Sequence, residues 1–214
     1  MHNNNSIKAF EKYAKEYDLW FKKNRPSFVS ELLLMKRLVP NTGKGLEIGV
    51  GTGRFSSGLG IKIGIDPAFD MLLMAKKRGI RVFNAKAEDL PFKDNSFDFV
   101  VMITVLSFLP SPLNALKEAR RVIKNKGHII IGMINKESAL GRLYESKKAK
   151  SRFYKHARFY SVEVVLSWFK ELRFNILSTY QTIFQEPELL VRPEPIKRGY
   201  KEGGFVGILA RKSC

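Results

Sequence analysis

Leu46-Glu47-Ile48-Gly49-Val50-Gly51-Thr52-Gly53-Arg54-Phe55 is the stretch that decides how this chain folds. An apolar run carrying an acid gives way to three glycines at alternate positions. Residues 46–50 read as a buried strand, and a short helical turn or two begins near Gly53. Gly49, Gly51 and Gly53 remove side chains where the turn needs unusual φ angles and where a ligand must approach the backbone. Ligands of open α/β sheets bind in the crevice beyond the strand ends. Glu47, at the end of this strand, is placed to accept a hydrogen bond from a cationic amine. Spacing excludes two other glycine loops. The dinucleotide pattern G-x-G-x-x-G, counted from Gly49 or Gly51, meets Arg54 or Ser56 where its third glycine belongs. The Lys-Ser/Thr of a phosphate-binding P-loop is absent.

Downstream, short apolar runs alternate with helical patterns. Residues 61–65 form a second strand that ends at Asp66, and residues 68–78 a helix closed by Gly79. Residues 80–84 and 97–104 are the third and fourth strands. A helix over 112–123, a turn at Asn125-Lys126-Gly127 and a fifth strand over 128–134 follow. Strands alternating with helices imply a parallel sheet covered on both faces. Upstream, residues 6–24 read as one helix with a wide aromatic face (Ile7, Phe10, Tyr13, Ala14, Tyr17, Trp20, Phe21). A second helix spans 27–38, and residues 40–43 break the chain. After residue 134 the rhythm stops. Residues 135–160 are long, basic and aromatic. Ser161 can N-cap a helix running to about residue 172, and two last strands at 174–184 and 205–211 flank a loop over 185–204. Long loops inside compact domains are usually functional or flexible. The expected organisation is one domain: a helical cap (1–40), a ligand-binding core (41–134), a lid-like insertion (135–160) and a C-terminal helix and strand pair (161–214).

Bulk properties narrow the chemistry. The chain has 214 residues, with 44% hydrophobic and 27% charged, close to globular averages. Its longest apolar stretches are too short to span a bilayer, and the polar start of the chain does not read as a signal peptide, so a cytoplasmic location is expected. The one cysteine, Cys214, is the last residue, and His2, His128 and His156 have no metal-ligand spacing; no metal site is expected. His2 falls in a stretch expected to be a disordered tail. The net charge of +18 favours anionic partners such as nucleic acid, an acidic membrane surface or a phosphorylated metabolite, or else simply clothes a solvated surface.

The glycine stretch resembles the acid-x-Gly-x-Gly-x-Gly motif of class I S-adenosylmethionine-dependent methyltransferases. Its companions stand in that family's order. Gly64-Ile65-Asp66-Pro67 ends the second strand. Ala87-Glu88-Asp89-Leu90-Pro91-Phe92 follows the third. Asp94-Asn95-Ser96-Phe97-Asp98-Phe99-Val100-Val101 enters the fourth, and the helix-turn of residues 116–127 precedes the fifth. The likeness spans residues 46–134 and is greatest to the small-molecule group that includes the ubiquinone and menaquinone C-methyltransferases (methyltransferase type 11). It implies a Rossmann-like, seven-stranded, mostly parallel α/β sheet with its last strand antiparallel, helices on both faces and an N-terminal helical cap.

The resemblance also implies S-adenosylmethionine as cofactor, S-adenosylhomocysteine as product and no metal. Glu47, Gly49, Val50, Gly51, Thr52 and Gly53 would contact the cofactor. Asp66 would accept hydrogen bonds from both ribose hydroxyls, a carboxylate being able to receive two. It also reads as an N-cap for the helix opening at Pro67, and the two roles are compatible. Pro67, Ala68 and Met71 would lie against the adenine. Glu88 or Asp89 would meet the adenine amino group, with Ala87 and Leu90 supplying the rest of that loop. Ile103, Thr104 and Leu106 would face the methionine portion. Tyr17-Asp18-Leu19-Trp20-Phe21 resembles a stretch that closes over the cofactor in some relatives, making Tyr17 and Trp20 contacts; the same aromatic stripe also reads as core packing. Many relatives carry a His after the fourth strand, where this chain has Ser107-Phe108.

The acceptor site should form outside these motifs, from the first helix and from a lid carrying Tyr144, Tyr154, His156 and Tyr160. His156 is the best general-base candidate by residue type. An in-line methyl displacement needs alignment and dryness more than it needs a base, so no catalytic triad is expected. Methyl transfer to a small molecule is the first reading. An RNA methyltransferase is the alternative that the charge invites, although no Asn/Asp-Pro-Pro-aromatic motif follows the fourth strand. A non-catalytic cofactor-binding protein is the third. The acceptor and the oligomeric state are not encoded in any of these motifs.

Overall fold

The computed structural model describes residues 2–213, with side chains from Asn5 onward; Met1, Cys214 and the His2 side chain lie outside what is described. Eight strands form one sheet: β1 (Gly45–Ile48), β2 (Ile63–Asp66), β3 (Arg81–Asn84), β4 (Phe97–Ile103), β5 (Ile123–Ile134), β6 (Phe174–Thr182), β7 (Lys197–Arg198) and β8 (Phe205–Lys212). Their order is β3-β2-β1-β4-β5-β8-β6-β7. The first five pair in parallel, and β8 runs antiparallel between β5 and β6. The strand order reverses at β1, so a crevice opens beyond the carboxyl ends of β1 and β4.

The buried strands owe their position to alternation. Successive side chains of a strand point to opposite faces. Val100 and Met102 of β4, with Ile129 and Ile131 of β5, face a core completed by Leu116 and Ala119 of α6 (Pro112–Val122) and by Val165 and Phe169 of α8 (Val162–Glu171). Val101 and Ile103, with Ile130, face the opposite core beneath Leu34, Met35 and Leu38 of α3 (Arg25–Leu38). Gly207 of β8 lets α3 approach: a Cβ there would stand 2.2 Å from a Leu34 methyl carbon. Ser161 caps α8 as expected, its hydroxyl accepting the Val164 N–H at 3.4 Å.

Several boundaries differ from the sequence reading. The first helix is two, α1 (His2–Lys12) and α2 (Ala14–Lys23), divided at Tyr13 (φ −113°, ψ 25°). The division lets two aromatic faces aim differently. Ile7 and Phe10 of α1 pack towards Ala68 and Met71, whereas Phe21 of α2 packs against Phe28 and Phe55. The stretch expected to be an N-terminal tail, from His2, is therefore helical. The turn at Asn125-Lys126-Gly127 appears as a bulge within β5, between the Phe97–Ile123 and Phe99–His128 pairs, with Lys126 at φ 63°. The insertion holds an unexpected helix, α7 (Ala139–Lys147), N-capped by Ser138. The loop over 185–204 contributes the edge strand β7, which makes the sheet eight-stranded and not seven-stranded. That loop is pinned to α3: the Glu194 N–H donates to Ser30 Oγ at 2.8 Å, and Ser27 Oγ donates to the Pro187 carbonyl at 3.4 Å. Among the described residues no helix is long and apolar enough to cross a membrane.

Candidate functional site

The glycine turn leaves β1 through left-handed backbone. Gly49 (φ 73°) and Gly51 (φ 52°) adopt angles that L side chains rarely take. A Cβ on Gly49 would stand 2.5 Å from a Val105 methyl carbon, so packing also forbids a side chain there. Gly51 then donates its N–H to Asp66 Oδ2 at 2.9 Å, and Asp66 Oδ1 accepts from the Ala68 N–H at 2.9 Å. Asp66 thus makes a helix-entry contact, yet α5 (Phe69–Lys77) begins later, with Ala68 as its N-cap. Burial raises the Asp66 carboxyl to about 6 against the pull of these two amides.

Two cavities open beside this turn and a third adjoins them. One, of about 730 Å³ and open to solvent, is lined by Gly49, Gly51, Asp66, Pro67, Ala68, Met71, Ala87, Glu88, Ile103, Thr104 and Tyr17, and is roofed by Ser6, Ile7 and Phe10 of α1. Most of the sequence-expected cofactor residues meet here. The second, about 270 Å³, holds Glu47, Val50 and Thr52 with Gly49, Gly51, Ile103, Thr104 and Tyr17. The third, about 650 Å³, is aromatic and carries one carboxylate, Glu31. Its walls include Trp20, Tyr144, Phe153 and Tyr154, together with Phe10, Tyr17, Thr104 and Phe108, which also face the first cavity.

Two further acids line these cavities. Glu88 Oε1 is buried with no hydrogen-bond partner among the described residues. A buried acceptor without a donor costs free energy, and an incoming N–H would remove that cost. Asp89, the other candidate for this contact, is exposed and lies outside the cavity. Glu47 is 2% exposed and accepts from the Ser56 hydroxyl and amide at the start of α4 (Arg54–Leu59). Burial outweighs these bonds and raises its carboxyl to about 8.

Five of the expected contacts differ from the sequence reading. The Leu90 side chain is in the core, and its N–H donates to Glu118 Oε2 at 3.0 Å, so it is already satisfied within the fold. Leu106 is also a core residue. Gly53 is the N-cap of α4, where a Cβ would press on Ile80 and Ala75. The Thr52 hydroxyl is turned away, donating to Asp18 Oδ1 at 2.7 Å. Trp20 lines the aromatic cavity and not the first. Of the lid residues, Tyr144 and Tyr154 line that cavity, Tyr160 packs on Trp168, and His156 lines none of the three.

The sequence reading missed Asp18 and Glu31. Asp18 accepts from Arg54 at 2.5 Å, from Arg78 at 2.9 Å and from Thr52, tying α2 to the glycine turn and to the end of α5. Burial opposes its ionisation, but the hydrogen bonds from Arg54 and Thr52 and the Arg78 charge outweigh burial and hold it at about 2. Its place beside Tyr17 was the available signal. Glu31 is half-buried on the face of α3 that also carries the buried Ser27, Leu34 and Leu38, at helical spacing. A single acid among leucines otherwise reads as solvent face.

Thr104 stands where all three cavities meet. Its φ of 56° is unusual for a β-branched residue. The Gly132 carbonyl holds its N–H at 2.7 Å, and its side chain meets the Tyr17 hydroxyl. Strain of this kind persists only where the surroundings fix it.

Comparison with known proteins agrees with this geometry. Residues 46–131 match the family model described as a methyltransferase domain. The chain is 46% identical to a Thermotoga maritima S-adenosylmethionine-dependent methyltransferase of known crystal structure, described as a possible histamine N-methyltransferase. The two superpose with a TM-score of 0.93, covering 96% of this chain and 99% of that one. An uncharacterized Methanocaldococcus jannaschii protein is 50% identical, over 96% of this chain and all of its own. The demethylmenaquinone methyltransferase of Staphylococcus aureus is 28% identical, over 95% of this chain and 86% of its own.

Proposed function

The chain belongs to the class I S-adenosylmethionine-dependent methyltransferases, and from that premise we propose that it methylates a small molecule held in the aromatic cavity between α2, α3 and the 135–160 insertion. One observation carries the proposal: the cofactor cavity and the aromatic cavity share a wall at Tyr17 and Thr104. Two ligands bound side by side across that wall would bring a donor methyl and an acceptor together away from bulk water.

In this reading Asp66 holds the ribose hydroxyls and Glu88 the adenine amino group. Pro67, Met71 and Ala87 flank the base, and Glu47 receives the methionine ammonium. A cation beside Glu47 would bring its raised carboxyl back towards ionisation. When bound, the cofactor supplies an electrophilic methyl on a sulfonium that leaves as a neutral thioether. The protein's part is to align and enclose the reactants, an effect worth ~7–11 kcal/mol. The segments that supply these walls support the expected division into a cap, a core and a lid-like insertion.

The RNA reading has less support. No lysine or arginine lines the aromatic cavity, whereas nucleic-acid sites are lined by cations that neutralise phosphates. The same lining argues against an anionic acceptor. A purely cofactor-binding role leaves the second cavity without a use. Incubation with methyl-labelled cofactor and fractionated cell extract tests the proposal. Label should enter the small-molecule fraction; label confined to RNA, or entering no fraction, would overturn it.

A further inference from the structure

Glu31 has no part in holding the cofactor. Its carboxylate opens into the aromatic cavity and has neither a hydrogen-bond donor nor a cationic partner among the described residues. A carboxylate half-withdrawn from water among apolar groups favours its neutral form unless a cation pairs it. Burial alone raises this one to about 8. The titratable groups facing it are Tyr17 of α2, Tyr144 of α7 and Tyr154 of the insertion, all with hydroxyls pushed further towards the neutral form by burial. None can supply positive charge.

The other walls select in the same direction. Ring faces of Trp, Tyr and Phe attract cations through their quadrupoles, most strongly when desolvated. The cavity offers Trp20, Tyr17, Tyr144, Tyr154 and Phe153 around the one acid. On a chain of net charge +18, this pocket is a local site for a cation.

We propose that the methyl acceptor is a protonated amine carried on an apolar body, that Glu31 anchors its ammonium, and that the same carboxylate takes the proton that must leave nitrogen before transfer. This rests on the methyltransferase reading and adds the acceptor class. The N–H bond breaks with its electron pair left on nitrogen, and the proton moves to a Glu31 oxygen. That pair forms the new N–C bond as the C–S pair returns to sulfur. The products are a methylated ammonium and a neutral thioether. Glu31 is then uncharged, as it is in the empty cavity, and the proton it gave to solvent when the amine bound completes the balance.

The test is calorimetry on the full chain saturated with S-adenosylhomocysteine. Phenethylamine, tryptamine and histamine are titrated beside the neutral 2-phenylethanol, in buffers of different ionisation enthalpy. At least one amine should bind about tenfold or more tighter than the alcohol. Near pH 7 about one proton should be released per amine bound, because the approaching cation ionises Glu31. E31Q should keep S-adenosylhomocysteine affinity within about threefold, lose about thirtyfold or more in amine affinity, and release no proton. Should E31Q fail to bind S-adenosylhomocysteine, the wild-type amine preference and proton release decide alone. Equal binding of the alcohol, unchanged amine affinity in E31Q, or no amine binding to a chain that does bind S-adenosylhomocysteine would overturn the proposal. Failure of the wild type to bind S-adenosylhomocysteine would instead remove the methyltransferase reading beneath it.

Discussion

The Gly51 amide donates to the Asp66 carboxylate at 2.9 Å, joining the end of β1 to the end of β2 across fifteen residues of sequence. The bond fixes one carboxylate in the wall of the cavity beside the glycine turn.

Asp66 should therefore set the pH limit for cofactor binding. With its carboxyl raised to about 6, the oxygens accept fully only above that pH. Below it the protonated acid loses acceptor capacity, so S-adenosylhomocysteine affinity should fall as pH drops from 7 to 5. D66N should bind about 10–100-fold more weakly, the range for a lost charge-assisted hydrogen bond, and its affinity should be flat over the same pH window. Calorimetry at both pH values measures each.

Glu47 should destabilise the ligand-free fold at alkaline pH. Its carboxyl is raised from 4.5 to about 8 in the folded chain. The folded state then holds a proton that the unfolded state releases, so stability is fully present below about 4.5 and is lost as pH rises towards 8. E47Q lacks that slope. Its melting temperature relative to wild type should rise between pH 5 and pH 9, by about 2–4 °C for each kcal/mol recovered. An offset that is equal at both pH values would contradict the assignment.

Glu88 should read the exocyclic amine of the base. Wild type should prefer S-adenosylhomocysteine to its 6-oxo inosyl analogue, which cannot donate there. E88A should narrow that preference by about 10–100-fold, mainly by weakening the adenosyl ligand. A preference that E88A leaves intact would show that the unpartnered Oε1 does not face the base.

Thr104 should exchange stability for activity. Glycine tolerates φ 56° without the cost of a β-branched side chain. T104G should raise the melting temperature by about 2–4 °C, near 1 kcal/mol for a chain of this size. It should lower methyl-transfer turnover, because Tyr17 loses its hydroxyl partner at the wall between the cavities. Unfolding curves and turnover of the same preparation decide it.

Asp18 should prove to be the tie between the cap and the glycine turn. D18A leaves Arg54 and Arg78 without their shared carboxylate, and both guanidiniums are partly exposed. A loss of about 1–3 kcal/mol is expected, below the figure for a fully buried pair because solvent screens the arginines. S-adenosylhomocysteine affinity should fall with it, since α2 carries Tyr17. Full affinity in D18A would show that α2 holds its place by packing alone.

By itself the sequence determined the parallel strands, the glycine turn and the acid that ends the second strand. Each is a local signal: alternation puts Val100 and Val101 on opposite faces, left-handed angles demand Gly49 and Gly51, and a strand that ends in Asp66 delivers its carboxylate to the sheet's carboxyl edge. Tertiary structure alone decided which neighbour in a motif faces the ligand. Glu88 and Asp89 are adjacent, yet one lines the cavity with a buried Oε1 and the other is solvated. Leu90 and Thr52, read from the motifs as contacts, spend their donors on Glu118 and Asp18, residues 28 and 34 positions away. The aromatic cavity was the least legible part. It gathers side chains from α1, α2, α3 and the 135–160 insertion, and Glu31 acquires its character only from rings distant in sequence. Burial and pairing are properties of surroundings, and those surroundings exist only once the chain has closed around them.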